Sequence, residues 1–145
     1  STPAADAPNP LALLRTGCPT GMRLYTQIYS EATRARAEQL RQDLQQAGMQ
    51  AEVQQWHVAP IENVARTAAM TQQRPPVPWR QPTIVLHDAA LRPCADAQAQ
   101  LVQPRWWPSS RQKVWVTGLP TGLKGQPGTL ELWLPAPKPE RTGAR

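Results

Sequence analysis

The chain has 145 residues, which is the length of one domain and leaves no room for a second sizeable core. It contains 17 Pro, 6 Trp and no Phe, and its formal net charge is +6. No run approaches the roughly 18 to 20 apolar residues of a membrane span, which excludes a spanning helix of ordinary length. The positive charge favours polyanionic partners, but basic and acidic residues also alternate along the best predicted helix, as on an ordinary solvated face.

Both ends of the chain are rich in proline. Such segments favour extended conformations and cannot bury enough apolar surface to offset the entropy lost on ordering. We therefore predict a proline-rich linker over residues 1–17, a single domain over residues 18–135 and a disordered tail over residues 136–145. Three leucines of the linker form a short apolar patch that could tuck against the edge of the domain: Leu11, Leu13 and Leu14.

The clearest pattern lies in residues 23–47, RLYTQIYSEATRARAEQLRQDLQQA. From Arg23 to Tyr29 the side chains alternate in character, which predicts a half-buried strand. Ser30 is a good capping residue, and the apolar residues after it recur at helical spacing until Gly48. These apolar positions are Ala37, Leu40, Leu44 and Ala47. The stretch therefore predicts a β-α unit.

The middle of the chain predicts a second strand followed by irregular structure. Ala51–Val58 has a strand pattern. Residues 60–73 could form one or two helical turns or a loop that packs on the domain. Residues 74–82, RPPVPWRQP, carry four prolines and are predicted to be an extended connector. Trp79 in this connector could be presented to an aromatic groove of a partner, or it could pack on the domain itself.

The second half repeats the strand-helix-strand order. Thr83–His87 has the short β-branched pattern of a buried central strand. A helix then begins at Asp88 or Arg92, and alternating strands are predicted at Lys113–Leu119 and Thr129–Leu134. The glycines between these last strands indicate a hairpin loop that needs positive φ, since no phosphate-binding motif is present.

The order of elements resembles the split β-α-β, ferredoxin-like arrangement. This likeness implies an α+β fold with β-α-β-β-α-β order, an antiparallel sheet, two helices on one face and an extra C-terminal strand. More narrowly, residues 23–103 resemble the small bacterial envelope domains of the SPOR and LytR C-terminal type. The resemblance is carried by Ala37, Leu40, Leu44 and Gly48, by Pro60-Ile61-Glu62-Asn63-Val64 and by Thr83 to Asp88.

This resemblance implies an extracytoplasmic, periplasmic location and a role as an interaction module. For the SPOR type it implies peptidoglycan binding. Any attachment to a membrane would come only from an anchor upstream of Ser1, as a spanning or lipidated segment of the parent protein. The proline-rich insert with Trp79, the Trp106-Trp107 pair and the strand with Trp133 depart from the common pattern.

In a ferredoxin-like sheet, the start of the first strand lies beside the end of the third. That arrangement places Cys18 and Cys94 at the same edge of the domain. We predict that the two cysteines form a disulfide, which indicates an oxidising compartment. The alternative is a pair of free buried thiols.

The aromatic residues are the most informative candidates for a binding site. If the helices cover the apolar face of the sheet, Tyr25, Tyr29, Trp115 and Trp133 lie on the other face, together with Trp56. These rings could stack on sugars or bases, with Arg23 and Lys113 available to meet an anion. Alternatively, the connector, the Trp106-Trp107 pair or the tails fold back and cover that face.

No pattern in the chain predicts catalysis, a metal or a cofactor. His57 and His87 fall on strand patterns and have no ligand spacing around them, and no carboxylate pair is spaced for acid-base chemistry. We therefore predict a non-enzymatic binding module of a bacterial cell-envelope protein that engages peptidoglycan glycan or a partner protein. The alternative is a basic, RRM-like domain that binds single-stranded nucleic acid.

Overall fold

The structure is a computed structural model that describes Leu14 and residues 17–49, 57–108 and 113–137. Its elements in chain order are β1 (Arg23–Ile28), α1 (Arg34–Met49), β2 (His57–Val58), β3 (Glu62–Asn63), α2 (Val64–Thr71), β4 (Thr83–Leu86), α3 (Arg92–Trp106), β5 (Trp115–Gly118) and β6 (Thr129–Leu134). Short 3-10 turns lead into α1 (Glu31–Thr33) and α3 (Ala89–Leu91). The predicted α+β class is confirmed. The first six residues of the predicted second strand, which include Trp56, lie outside the described residues.

The described strands form one mixed sheet in the order β2-β1-β6-β4-β5, and β3 also pairs with β1. β1 is parallel to β2, β3 and β6. β4 is antiparallel to β6 and parallel to β5. The sheet therefore consists of two parallel strand-helix-strand units, and the C-terminal strand joins them.

The expectation of an antiparallel sheet is wrong, and the ferredoxin-like strand order is not confirmed. A split β-α-β unit has another strand between its two strands, whereas β1 pairs directly with β2 and β4 with β5. The strand that occupies the centre is β6, which hydrogen-bonds on both sides and buries Leu130, Leu132 and Leu134 completely. The loop before β6 is consequently not a hairpin loop, because β4 lies between β5 and β6. Its glycines do adopt positive φ, at Gly122 and Gly128.

Helices α1 and α3 cover one face of the sheet, as predicted. Leu24, Ile28 and Leu132 are fully buried beneath them. The two helices also contact each other, since the Arg36 guanidinium lies 5.4 Å from the ring centroid of Trp106 and donates to its carbonyl oxygen at 2.9 Å. Burial of this apolar layer is the main stabilising term of the fold.

Leu14, which belongs to the predicted linker, is part of the hydrophobic core. Only 1% of its surface is exposed. Its carbonyl oxygen accepts a hydrogen bond from the amide of Cys18 at 3.0 Å. The chain therefore contributes to the core before the first strand begins.

The beginnings of the helices follow ordinary capping chemistry. At the first 3-10 turn, the side chain of Ser30 accepts a hydrogen bond from the amide of Ala32. At the second, the side chain of Asp88 accepts one from the amide of Ala90, as both residue types predicted. Asn63 caps α2 by accepting the amide of Arg66 at 2.9 Å. Pro93 lies in the first turn of α3, where its missing N–H is not needed.

The carboxylate of Glu31 joins α1 to the β3-α2 corner. It accepts hydrogen bonds from the side chains of Arg34 at 2.6 Å and Asn63 at 3.0 Å, and Arg66 lies 3.5 Å away. The hydrogen bond from Arg34 is the largest cause that lowers the pKa of Glu31 from 4.5 to about 2. The carboxylate therefore stabilises the folded state in its charged form.

We expect the stabilisation from Glu31 to be present above pH 4.5 and to be lost as the pH falls toward 2. The reason is that a carboxyl with a lowered folded-state pKa binds its proton more readily in the unfolded chain. Urea unfolding of the wild type and of Glu31→Gln between pH 7 and pH 2 measures this effect. The difference between the two proteins should shrink across that interval, and a difference that is independent of pH would contradict the assignment. Asp96→Asn, which removes a carboxylate of α3 that pairs with Arg92 and not with Arg34, is the control.

Candidate functional site

The candidate site lies on the face of the sheet that the two helices leave uncovered. Strand alternation places Tyr25, Glu131, Trp133 and Trp115 on this helix-free face, because their chain neighbours are buried in the core. The registers align Gln27, Trp133, Thr83 and Trp115 in one row across four strands. Trp133 and Trp115 are therefore two strands apart, or about 10 Å.

Four aromatic residues meet along this row, and we call them the aromatic cluster: Tyr29, Trp79, Trp115 and Trp133. The ring centroids of Tyr29 and Trp133 are 5.8 Å apart. Those of Trp79 and Trp115 are 5.3 Å apart, with the rings nearly perpendicular at 84°. The backbone amide of Trp79 donates to the hydroxyl of Tyr29 at 3.3 Å, which links the two pairs.

The aromatic cluster is partly covered and partly exposed. Trp79 comes from the proline-rich connector, which has no helix or strand between residues 73 and 82, as predicted. It folds back over the row, where Thr83 is completely buried. Burial raises the pKa of Tyr29, although the hydrogen bond from Trp79 acts in the opposite direction. Trp115 at the outer end of the row remains 47% exposed. The connector thus covers the middle of the face and leaves one tryptophan accessible.

The centre of the helix-free face holds a polar network. Glu131 accepts a hydrogen bond from Trp133 Nε1 at 2.7 Å, and its other oxygen contacts His87 Nε2. His87 Nδ1 accepts the amide of Gln126 at 3.2 Å, so the proton of the neutral ring is assigned to Nε2. Both ring nitrogens are therefore occupied. This histidine positions the loop before β6 and has no free nitrogen with which to act as a base.

β5 forms one edge of the described sheet. The amide of Trp115 donates to the carbonyl oxygen of Pro82, which precedes β4, at 2.9 Å. The amide of Leu119 donates to the carbonyl oxygen of Leu86, the last residue of β4, at 3.2 Å. Alternation in a parallel pair directs the amides and carbonyls of Val116 and Gly118 away from β4. No described element pairs with them there. The amide of Val114, just before the strand, is taken by the side chain of Gln103 at 2.6 Å.

The structure brings some of the predicted site residues together and separates others. Tyr29, Trp115 and Trp133 meet in the aromatic cluster, and Lys113 is exposed beside Trp115. Tyr25 lies next to Glu131 in the adjacent row, and Arg23 is at the opposite end of the sheet. Trp56 lies outside the described residues. Trp79 was not among the predicted site residues, but the predicted alternative that the connector folds back over this face agrees with its contacts to Tyr29 and Trp115.

The predicted disulfide is present. Cys18 and Cys94 are joined, with Cα atoms 4.6 Å apart, and both are fully buried. Met22 Sδ lies 3.3 Å from Cys94 Sγ, and the Gln98 side chain donates to the same sulfur. The bridge ties the segment before β1 to the first turn of α3. A structural disulfide of this kind indicates an oxidising location outside the cytoplasm.

Within the part of the chain that the structure describes, no group of acidic, histidine or cysteine side chains could hold a metal ion. No helix among the same residues is long and apolar enough to cross a membrane. Comparison with family models, curated proteins and solved structures found no match for this chain. Function must therefore be inferred from the surface itself.

Proposed function

We propose that this chain is a non-enzymatic binding module of a bacterial cell-envelope protein and that it recognises a partner protein through the aromatic cluster. The observation that carries the proposal is the exposure of Trp115, 47% of whose surface is accessible beside a strand edge with which no described strand pairs. A large exposed aromatic residue supplies much of the binding energy at protein interfaces. The disulfide and the resemblance to SPOR and LytR C-terminal domains support a periplasmic location.

The geometry favours a protein over a glycan as the ligand. Stacking on a sugar needs a flat ring face that is free of other contacts. Trp79 and Trp115 are perpendicular and in contact, and the rings of Tyr29 and Trp133 lie against each other. The outward amides and carbonyls of β5, with which no strand in the described part of the chain pairs, match the donors and acceptors of a polypeptide instead.

A nucleic-acid role receives less support from the same surface. Single-stranded nucleic acid is bound by a positive groove with free stacking platforms. The centre of the helix-free face instead carries the carboxylate of Glu131, and two of its aromatic rings are half-buried. The non-enzymatic role is likewise supported by the arrangement at His87, whose ring nitrogens are both engaged.

We expect Trp115→Ala to weaken partner binding by about 30-fold, since a central tryptophan contributes about 2 kcal/mol or more at an interface. The measurement compares retention of the wild type and the variant by an envelope protein fraction, by purified sacculi and by a single-stranded oligonucleotide. Leu123→Ala, which removes a 62% exposed side chain on the loop before β6, is the matched control.

Protein retention that is lost in Trp115→Ala and kept in Leu123→Ala supports the proposal. Retention by sacculi with the same pattern would favour a glycan ligand. Oligonucleotide binding that falls steeply with salt would favour the nucleic-acid alternative. Equal retention of both variants would contradict a role for the aromatic cluster.

A further inference from the structure

The charges of the chain are distributed unevenly around the β4-β5 side of the sheet. Residues 63–87 and 97–130 contain no Asp or Glu, although they carry seven Lys and Arg residues. These segments supply β4, the connector, most of α3 and β5. Two of the seven cations pair with carboxylates elsewhere in the fold, Arg66 with Glu31 and Arg105 with Asp43. The connector and the segment of β5 therefore contribute cations, Arg74, Arg80 and Lys113, and no carboxylate.

Two of these cations flank the exposed tryptophan. Arg80 follows Trp79, whose ring contacts Trp115, and Lys113 lies two residues before Trp115. The side chain of Gln81 donates to the carbonyl oxygen of Lys113 at 2.6 Å, which holds the two segments side by side. Arg80 and Lys113 are exposed, and neither forms an ion pair with any residue that the structure describes. They are free to meet negative charge on a partner.

The strand edge beside them restricts the form of that partner. Val116 and Gly118 each direct one backbone amide and one carbonyl away from β4. These groups are two residues apart, which is the interval at which a neighbouring strand pairs. Gly118 itself is exposed, and a Cβ atom added there would have no heavy atom within 4 Å among the described residues, so alanine fits at this position. The amide of Val114, two residues earlier, already donates to the side-chain oxygen of Gln103. The edge that a partner strand could pair with therefore begins after Val114. Only a short extended segment fits.

We propose that the partner contributes an extended, acidic peptide segment, which adds as a strand beside β5. Its backbone pairs with Val116 and Gly118, an apolar side chain packs on Trp115, and its carboxylates meet Arg80 and Lys113. The regular alternation of donors and acceptors fits a polypeptide backbone, which is why a peptide is favoured over another polyanion. This inference rests on the proposed function, because it specifies the partner of the same surface.

The first step of the test is a selection of random dodecapeptides on the immobilised wild-type protein, followed by affinity measurements with synthetic copies. We expect the selection to enrich peptides with two or more Asp or Glu residues around an apolar or aromatic residue. Charge reversal by Arg80→Glu and Lys113→Glu together should lower the affinity for these peptides by about tenfold or more. It should also reduce the salt dependence of binding.

The second step tests the strand pairing with a matched pair of variants at one position. Gly118→Pro removes the outward amide and leaves the bonds to β4 in place, whereas Gly118→Ala keeps the amide. We expect the proline variant to bind the peptides at least tenfold more weakly than the wild type does. The alanine variant should bind them with the affinity of the wild type. Thermal unfolding of both variants shows whether the proline variant is folded. If it is not, the affinity of the charge-reversal variant decides whether the acidic segment binds at this edge.

Each outcome separates the inference from the proposed function. If peptides that require Trp115 are enriched but are not acidic, or if Gly118→Pro binds them normally, the acidic strand is wrong and the binding surface stands. If no peptide is enriched, strand addition is overturned. If an oligonucleotide binds through Arg80 and Lys113 and Gly118→Pro leaves its affinity unchanged, the partner is a nucleic acid. If, in addition, Trp115→Ala leaves retention of envelope protein intact, the proposed function also fails.

Discussion

Replacing both cysteines by alanine is expected to lower the free energy of unfolding by about 4 kcal/mol. The bridge joins residues that are 76 positions apart, and a cross-link that closes so long a loop removes much of the entropy of the unfolded chain. The sulfurs are fully buried between Met22 and Gln98, so the double variant also loses contacts in the core. Urea unfolding of the wild type and of Cys18→Ala with Cys94→Ala measures the difference.

Reductant provides the internal control for this prediction. It should destabilise the wild type toward the level of the double variant and leave the double variant unchanged. A count of reactive thiols on the denatured, unreduced wild type completes the test and should give none. If both thiols react in protein purified from its native compartment without reductant, the bridge does not form there and the argument for an oxidising location is lost.

The second large effect is expected for Trp106→Ala, which should lower the free energy of unfolding by about 3 to 5 kcal/mol. Trp106 is fully buried where α3 ends, its indole Nε1 donates to the carbonyl oxygen of Pro135 at 2.8 Å, and Arg36 lies on its ring. Alanine would leave a large cavity and an unpaired carbonyl after β6.

Trp115→Ala is the matched control, because it makes the same chemical change at an exposed position. We expect it to lower the free energy of unfolding by less than about 1 kcal/mol, while it weakens partner binding by about 30-fold. Trp106→Ala, measured under conditions where it is still folded, should keep its affinity for the partner. If the two variants are destabilised equally, the division of the tryptophans into a structural one and a binding one is wrong.

Local structure was predicted well because it depends on neighbouring residues. The alternation in β1 and β6, the caps at Ser30 and Asp88 and the proline-rich connector are all recognisable from residue types over a few positions. The same reasoning identified the helix-covered face of the sheet. Of the two histidines on predicted strands, His57 is exposed and His87 makes hydrogen bonds with Glu131 and Gln126.

The order of the strands could not be read from these patterns. A period of two shows which side chains share a face, but it does not show which strand lies next to which. β6 enters between β1 and β4, and nothing in TLELWL distinguishes a central strand from an added edge strand. The disulfide was nevertheless predicted correctly. The start of β1 and the end of β4 do lie at one end of the sheet, with β6 between them.

The candidate site was predicted in part for the same reason. Tyr29, Trp115 and Trp133 were identified from alternation alone, since each lies opposite a buried position. The position of Trp79 was left open between a partner's groove and the domain itself, because its contact with Trp115 depends on how the connector crosses the sheet. Arg23 and Lys113 were grouped by charge, yet the strand directions place them at opposite ends of the sheet.

The central claim is that β5 presents an unpaired edge beside the exposed Trp115, and amide hydrogen exchange tests it without any ligand. We expect the amides of Val116 and Gly118 to exchange rapidly, while those of Trp115 and Leu119, which are bonded to Pro82 and Leu86, are protected. An alternating pattern of this kind would confirm the free edge. Uniform protection from Trp115 to Leu119 would show that the edge is already occupied, and it would contradict the proposed binding surface.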